Sequence, residues 1–152
     1  MTTVPTLVRV SNPLTRRLLR LGMPMGPNVL LTVRGRTSGL PRSAAVAVAE
    51  LDGRRWIIGA YGDVQWVRNL RAAGVAEIRV HGRTEPVAAR ELDRDEATDF
   101  YARTLPTYVR SLPWFGRLFV RVLFAAAGPE IRDDPKRAAI TRPVFELRSN
   151  AD

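Results

Sequence analysis

The chain contains no cysteine, one histidine and one lysine among its 152 residues. Without cysteine it has no disulfide, no thiolate nucleophile and no cysteine-ligated zinc site. The single histidine, His81, excludes metal sites built from several histidines and argues against a serine–histidine–aspartate hydrolase. No apolar run reaches the roughly 20 residues of a membrane-spanning helix, and the first residues lack the apolar segment of a signal peptide. We therefore expect a cytoplasmic protein without thiolate chemistry and without a metal site built from cysteines or several histidines.

Positive charge is in excess, since 24 lysine and arginine residues face 15 aspartate and glutamate residues, a formal net charge of +9. Lys136 is the only lysine, so nearly all of the basic charge is arginine. The planar guanidinium pairs with phosphate and carboxylate groups through two parallel hydrogen bonds. This balance predicts an acidic partner: nucleic acid, an anionic membrane or a polyanionic small molecule.

The length predicts one domain, residues 1–152, with its own core. Asn12 and Pro13 indicate a helix start in an N-terminal arm, residues 1–27, and residues 93–130 are interpreted as a helical insertion. Because helices do not alternate regularly with strands, we expect an α+β, barrel-like fold of about six mostly antiparallel strands with flanking helices. Strands are predicted from apolar and β-branched runs at 28–34, 42–50, 55–60, 76–81, 84–91 and 143–148.

Capping residues and apolar stripes predict helices between the strands. Asp63 is predicted to cap a helix that ends at Gly74, and Asp93 with Glu96 is predicted to form a capping box for a helix over about 94–105. Two further predictions concern a loop and the core. Asp133 and Asp134 are predicted to lie in a solvated loop, and the aromatic residues predicted to pack in the core or between helices are Trp56, Trp114 and Phe145.

The stretch LLTVRGRTSGLPRSAAVAV, residues 30–48, places two arginines at a bend between two strands. Arg36 and Arg42 flank the bend, and Thr37 and Ser38 add hydroxyl and backbone donors. Gly35 and Gly39 allow close approach of the backbone and positive φ angles. Donors that converge from one side are what a phosphate needs. An ordinary solvated turn is the alternative, and the pattern is not that of a P-loop.

This bend, the following WVRNLRAAG and the terminal PVFELR together resemble the deazaflavin-dependent nitroreductase and quinone reductase family. The resemblance implies a split β-barrel that binds coenzyme F-420, an 8-hydroxy-5-deazaflavin with a phosphodiester and an oligoglutamate tail. It also implies hydride transfer to a quinone, a nitro compound or an activated double bond. Because such a cofactor carries the reactive hydride, the protein needs no nucleophile of its own.

The resemblance further implies site residues in three groups. The phosphate and the first tail carboxylates are expected to contact Arg36, Thr37, Ser38, Arg42 and Arg68. The ring is expected to be bordered by Pro41, Ser43, Ala60, Tyr61 and Gly62, with Trp66 and Val67 as walls of the cleft. Tyr108 is the candidate proton donor to the substrate, with solvent as the alternative. Thr37 departs from the lysine of many family members, and AYGDVQW is shorter than its counterpart, so the acceptor stays open.

The same residues also fit other interpretations of the cofactor, the activity and the partner. Related split barrels bind FMN, whose phosphate also suits Arg36 and Arg42, and a deazaflavin carrier without turnover is a further alternative. Trp66 and Asn69 also have purely structural readings, as a core residue and as a link from the helix to a neighbouring backbone. Nucleic acid is not the expected partner, because the aromatic residues are few and are not interleaved with arginine on strands.

Residues 114–127 predict an amphipathic helix with a broad apolar face and Arg117 and Arg121 on another face. Such a helix either packs on the barrel or forms a lid that faces lipid or a hydrophobic acceptor, namely a quinone, a nitroaromatic or an acyl compound. The second reading predicts peripheral contact with the inner face of the membrane. A homodimer paired through the sheet is a further expectation.

Overall fold

A computed structural model describes residues 28–80 and 82–150, and within these ranges six antiparallel strands form a closed barrel. Neighbouring strands run β1–β2–β3–β6–β5–β4, and β4 pairs back with β1. The expected α+β split barrel is thereby confirmed. The predicted N-terminal helix, the rest of residues 1–27 and His81 lie outside the described residues. The strands are β1 Asn28–Arg34, β2 Pro41–Leu51, β3 Arg54–Ile58, β4 Val75–Val80, β5 Arg83–Glu91 and β6 Val144–Ser149.

The barrel interior is filled by apolar side chains that recur at every second position of the strands. Leu31 and Val33 of β1 point inward with Ile57 of β3, and Phe145 and Leu147 of β6 face them. Each is at most 4% exposed. A small barrel of this kind has a packed core and not a pore, so any ligand site must lie outside the strands or at their ends.

The described helices form two groups. The first, α1, covers the barrel and contributes Val67 and Leu70 to its core. The second group packs against the outer faces of β3 and β6, where Trp56, Ile58 and Val144 are buried. The helices are α1 Gln65–Ala73, α2 Arg94–Asp99, α3 Leu105–Ser111, α4 Trp114–Ala127, α5 Glu130–Asp133 and α6 Pro135–Thr141, with a π-helical segment at Phe100–Thr104.

The helix predicted over 94–105 is longer and less regular than expected. Its start is confirmed, because the Asp93 carboxylate accepts from the Glu96 N–H at 2.8 Å and the Glu96 carboxylate accepts from the Asp93 N–H at 3.4 Å. The hydrogen bond from the Arg90 guanidinium holds the pKa of Glu96 at about 2. The chain then continues through the π turn into α3. Pro106 lacks the N–H that would bond one turn back, which is consistent with a widened turn at this point.

Three smaller expectations are wrong. Asp63 does not cap α1; the N-cap is Val64, and the Asp63 carboxylate instead pairs with Arg68 at 3.1 Å and Arg71 at 3.3 Å. The solvated loop expected at Asp133 and Asp134 is wrong for Asp133, which ends α5; Asp134 is exposed between the two helices and caps α6 by accepting from the Arg137 N–H.

Trp114 was expected to pack in the core or between helices, but 72% of it is exposed. It stands at the first turn of α4, on the helix face that turns away from the barrel. Trp56 and Phe145 are buried as expected. Across the part of the chain that the structure describes, every helix is too short or too polar to cross a membrane.

Candidate functional site

A cleft of about 750 Å³ lies between the β1–β2 turn, the first half of β2 and the N-terminal half of α1. Its walls come from segments that are distant in sequence, and the bend between β1 and β2 forms one end. The cleft is lined by Gly35, Arg36, Thr37, Ser38, Arg42, Ser43, Ala44, Ala45, Tyr61, Val64, Gln65, Trp66 and Asn69.

The bend is held in shape by its own backbone. The Gly35 N–H donates to the Leu40 carbonyl at 2.8 Å, and the Gly39 N–H donates to the Gly35 carbonyl at 2.9 Å. Gly39 has a φ of 72°, which favours glycine. At Gly35 a Cβ would stand 2.7 Å from Ser38 Oγ, so a side chain there would push the bend open. The closed bend leaves Arg36, Thr37 and Ser38 exposed along the cleft.

Arg36 is tied to α1 by two amide side chains. Asn69 Oδ1 accepts from the Arg36 backbone N–H at 3.2 Å and from its Nη1 at 2.8 Å, and Gln65 Oε1 accepts from the same Nη1 at 3.0 Å. Asn69 is 6% exposed. It links the bend to the helix, as its structural reading anticipated, and it also orients the guanidinium. Both partners are neutral, so the charge of Arg36 is not compensated.

Eight of the described arginines pair with a carboxylate, and the two arginines of the cleft are not among them. Within residues 28–80 and 82–150, neither Arg36 nor Arg42 forms an ion pair with a carboxylate. Elsewhere on the barrel Arg54 pairs with Glu146 at 2.7 Å. Other paired arginines are Arg55, Arg68, Arg71, Arg90, Arg103, Arg142 and Arg148. Two uncompensated guanidiniums beside two hydroxyls fit a phosphodiester followed by carboxylates.

The other wall of the cleft suits a flat ring. Ser43, Ala44 and Ala45 of β2 carry small side chains and leave space next to the strand. Trp66 borders this space and is half-buried, with its ring centroid 6.3 Å from that of Phe145. An apolar wall with a few polar groups is typical of small-molecule sites.

Tyr61 brings a buried hydroxyl to this cleft. In the described ranges its Oη has no hydrogen-bond partner, although the atom is buried. Burial also raises the pKa of Tyr61, so the phenol stays neutral. A buried polar atom without a partner is rare in native structures, which makes this hydroxyl a candidate for a functional role.

Several of the predicted site residues lie outside the cleft lining. Val67 is fully buried in the barrel core, because it points to the opposite side of α1 from Gln65 and Asn69. Arg68 is held by the Asp63 carboxylate. The remaining three are next to lining residues in sequence; Ala60 and Gly62 are buried on either side of Tyr61, and Pro41 is exposed before Arg42.

Tyr108 also lies away from the cleft lining. Its hydroxyl donates to the Val48 carbonyl at 3.3 Å, and its ring packs with the cluster between the barrel and the second group of helices. Burial is the main cause that raises its pKa. The lining residues that sequence reasoning did not place at the ligand are Ala44, Ala45, Val64, Gln65 and Asn69. The spacing of Gln65 and Asn69, four residues apart on one helix face, was the available signal.

Solved structures share this barrel at low sequence identity. HutZ, a heme storage protein from Vibrio cholerae, is 11% identical over 92% of this chain and 90% of that chain, with a TM-score of 0.51. A conserved hypothetical protein from Mycobacterium tuberculosis is 15% identical over 91% and 79%, with a TM-score of 0.50. A structure named an F420-H2 dependent reductase is 20% identical over 80% and 94%, with a TM-score of 0.46. At these identities the first two likenesses concern the fold alone.

A search of curated proteins found no match. The family model of the F420H2-dependent quinone reductases matches residues 10–113, more than half of the chain. The match spans the bend with Arg36 and Arg42, all of α1 and the whole cleft lining. The chain therefore belongs to the F420H2-dependent quinone reductase family, a family of enzymes whose cofactor is coenzyme F-420.

Proposed function

We propose that this F-420-dependent reductase transfers a hydride to a quinone, with nitro compounds and activated double bonds as secondary acceptors. The observation that carries the proposal is the shape and charge of the cleft. One end holds two uncompensated arginines, and the other is an apolar space between small side chains of β2 and the ring of Trp66. Membership of the family favours coenzyme F-420 over FMN as the cofactor. It also favours an enzyme over a carrier without turnover.

We assign the polar end of the cleft to the cofactor tail. Arg36 and Arg42 bind the phosphate and the first carboxylates, while Thr37 and Ser38 donate hydroxyl hydrogen bonds. Ser43, Tyr61 and Trp66 border the ring. Five predicted residues lie beside these groups and not at the cleft surface. We assign these five residues a supporting role, in which they fix the backbone of the lining residues; they are Pro41, Ala60, Gly62, Val67 and Arg68.

Reduced coenzyme F-420, when bound, supplies the hydride. A quinone that accepts a hydride also takes up a proton to become a hydroquinone, so the cleft needs a proton source. Tyr61 lines the cleft, and its buried Oη carries a proton and has no partner among the described residues. Tyr108 is the alternative donor, and its proton is engaged by the Val48 carbonyl. Trp66 and the alanines of β2 exclude water from the ring face.

Two matched substitutions separate the candidate proton donors. We expect Tyr61→Phe to lower kcat with a quinone about 100-fold, as is typical when a positioned general acid is lost. Tyr108→Phe should keep the activity and cost only about 1 kcal/mol of unfolding free energy, from one hydrogen bond. Because burial raises the pKa of Tyr61, the wild-type rate should stay level through neutral pH and fall only above about pH 10. Loss of activity in Tyr108→Phe alone would assign the proton to Tyr108.

Asn69 provides a test of how Arg36 is positioned. Asn69→Ala removes the acceptor of two Arg36 donors, so we expect the dissociation constant of coenzyme F-420 to rise about tenfold and stability to fall by about 1–3 kcal/mol. Asn69→Asp keeps the acceptor but neutralises Arg36 and repels the phosphate. This variant should melt near the wild-type temperature and still bind the cofactor weakly. Wild-type affinity in Asn69→Asp would show that Arg36 does not meet the anionic tail.

The acceptor is identified by mixing the enzyme with reduced coenzyme F-420 and following the return of the oxidised cofactor's visible absorbance. Menadione, a nitroaromatic and an α,β-unsaturated ketone are compared at equal concentration. We expect menadione to give the highest kcat/KM. Equal oxidation of the cofactor with and without enzyme for all three compounds would reject these acceptors. A faster rate with the nitroaromatic than with menadione would assign nitro compounds, and not quinones, as the acceptor class.

Peripheral contact with an anionic membrane is a further part of this proposal. Trp114, Phe115, Leu118 and Val122 of α4 are each more than half exposed on one helix face. Such a face suits the lipid interface, from which a lipophilic quinone can enter. Co-sedimentation with anionic but not neutral liposomes is the expected result. A cytoplasmic location and a homodimer also remain proposals, and light scattering coupled to size exclusion measures the second.

A further inference from the structure

A second pocket, of about 290 Å³, lies among the helices on the side of the barrel that carries Trp56 and Ile58. No residue lines both this pocket and the cleft. Its interior is apolar, with Leu105 and Val109 of α3 facing Val120 and Phe124 of α4. The whole lining consists of Tyr101, Leu105, Pro106, Val109, Arg110, Arg117, Val120, Arg121, Phe124, Ile131 and Arg132.

Four arginines and no acidic residue line this apolar interior. Arg110, Arg117, Arg121 and Arg132 all line the pocket, all are exposed, and no acidic residue is among the lining. In the part of the chain that the structure describes, none of the four forms an ion pair with a carboxylate. Residues 100–129 contain neither aspartate nor glutamate. This cluster is therefore a local excess of positive charge that favours an anion.

The apolar interior and the arginines of the lining together favour a ligand with an apolar part and an anionic part. An apolar pocket takes an alkyl chain, and guanidiniums at its mouth bind a carboxylate or phosphate through two-point hydrogen bonds. A volume of about 290 Å³ is near the lower end of ligand pockets, so it suits one chain and not two. We propose that this pocket binds an anionic amphiphile, an acyl chain that ends in a carboxylate or phosphate group.

The N-terminal segment of the chain itself is a poor candidate to occupy this pocket. Residues 1–27 contain Arg9, Arg16, Arg17 and Arg20 and no acidic residue. Placing this segment in the pocket would add positive charge to a mouth that is already positive. An anionic amphiphile instead supplies the charge that the four arginines lack.

The first experiment compares head groups on one chain length. Dodecanoate, dodecanol and dodecyltrimethylammonium are titrated calorimetrically into the full-length protein below their micelle concentrations, with coenzyme F-420 present at saturation so that the cleft is occupied. We expect dodecanoate to bind, the alcohol to bind at least about tenfold more weakly and the cation not to bind. Each added methylene should tighten binding of the carboxylate about fourfold until the pocket is filled. Equal binding of anion and cation, or no binding of the anion in any arm, would overturn the proposal.

Charge-removing variants locate the site. Arg117→Gln combined with Arg121→Gln should weaken dodecanoate at least about tenfold. These side chains are exposed, so the variant is expected to fold. Arg83→Gln combined with Arg94→Gln removes the same charge from two other exposed arginines and should leave binding unchanged. If both double variants weaken binding equally, the effect is net charge and the pocket is not the site.

A vesicle arm distinguishes a free fatty-acid anion from a bilayer lipid. Binding of dodecanoate without binding to phosphatidylglycerol vesicles indicates a soluble acyl anion, and vesicle binding that depends on Arg117 and Arg121 indicates an anionic phospholipid. Either result supports the proposal. Competition between dodecanoate and coenzyme F-420 would place the anion in the cleft and overturn it.

Discussion

The double variant Arg36→Ala, Arg42→Ala is expected to raise the dissociation constant of coenzyme F-420 by about two to four orders of magnitude. Each guanidinium contributes charge-assisted hydrogen bonds worth about 1.5–3 kcal/mol, and both lack a carboxylate partner among the described residues. Arg36 uses Nη1 for Asn69 and Gln65, which leaves its other N–H donors for the ligand. Fluorescence titration of the cofactor measures the change directly.

The control for this variant is Arg34→Ala, which removes one exposed arginine at the end of β1 that does not line the cleft. It should bind the cofactor as the wild type does. Arg36→Lys keeps the charge but loses the planar fork that contacts two amides, so we expect an intermediate affinity. Because the pairing is electrostatic and partly exposed, raising the salt concentration should weaken the wild type more than the double variant. Wild-type affinity in the double variant would refute this binding site.

Phe145→Ala is expected to cause the largest loss of stability, about 3–5 kcal/mol. Phe145 is 1% exposed at the centre of the barrel, on the strand that joins β3 to β5. Its removal leaves a cavity that surrounding strands cannot fill, since their spacing is set by backbone hydrogen bonds. For a chain of this length the melting temperature should fall by roughly 10–15 °C. Urea unfolding with an unchanged m-value checks that the loss is in stability.

Phe115→Ala is the matched control, because the same side chain is removed from a position that is 62% exposed. We expect it to change stability by at most about 0.5 kcal/mol. Phe145→Ala should also disturb the cleft, since its ring supports that of Trp66. A barrel that tolerated Phe145→Ala as well as Phe115→Ala would mean that the interior is filled differently from this structure.

The strands and the bend could be predicted because the sequence signals that specify them are local. Alternating or continuous apolar runs determine which residues can lie in a half-buried strand, and all six predicted strands are found within a few residues of their predicted ends. Glycine at positions 35 and 39 and the capping box of Asp93 and Glu96 act over a few residues, so their geometry follows from sequence spacing. The arginines of the bend are the part of the site that this local information located.

Other parts of the site depended on contacts between distant residues. That Val67 enters the barrel core with Leu70 and does not form a wall of the cleft was decided by tertiary packing. The same packing turns Asn69 toward Arg36, 33 positions away in the chain. Tyr61 and Tyr108 look alike in sequence, yet Tyr61 lines the cleft with a hydroxyl that has no partner among the described residues, and the Tyr108 hydroxyl donates to the Val48 carbonyl.

By itself the sequence determined the six strands, the excess of arginine, the donor groups of the bend and the absence of cysteine. Only the tertiary structure decided that β6 lies between β3 and β5 and that β4 pairs back with β1, which together close the barrel. The physical reason is that propensity, capping and turn preference act between near neighbours. Strand order, the rotation of a helix and the partner of a buried polar atom depend instead on how apolar surfaces far apart in sequence pack together.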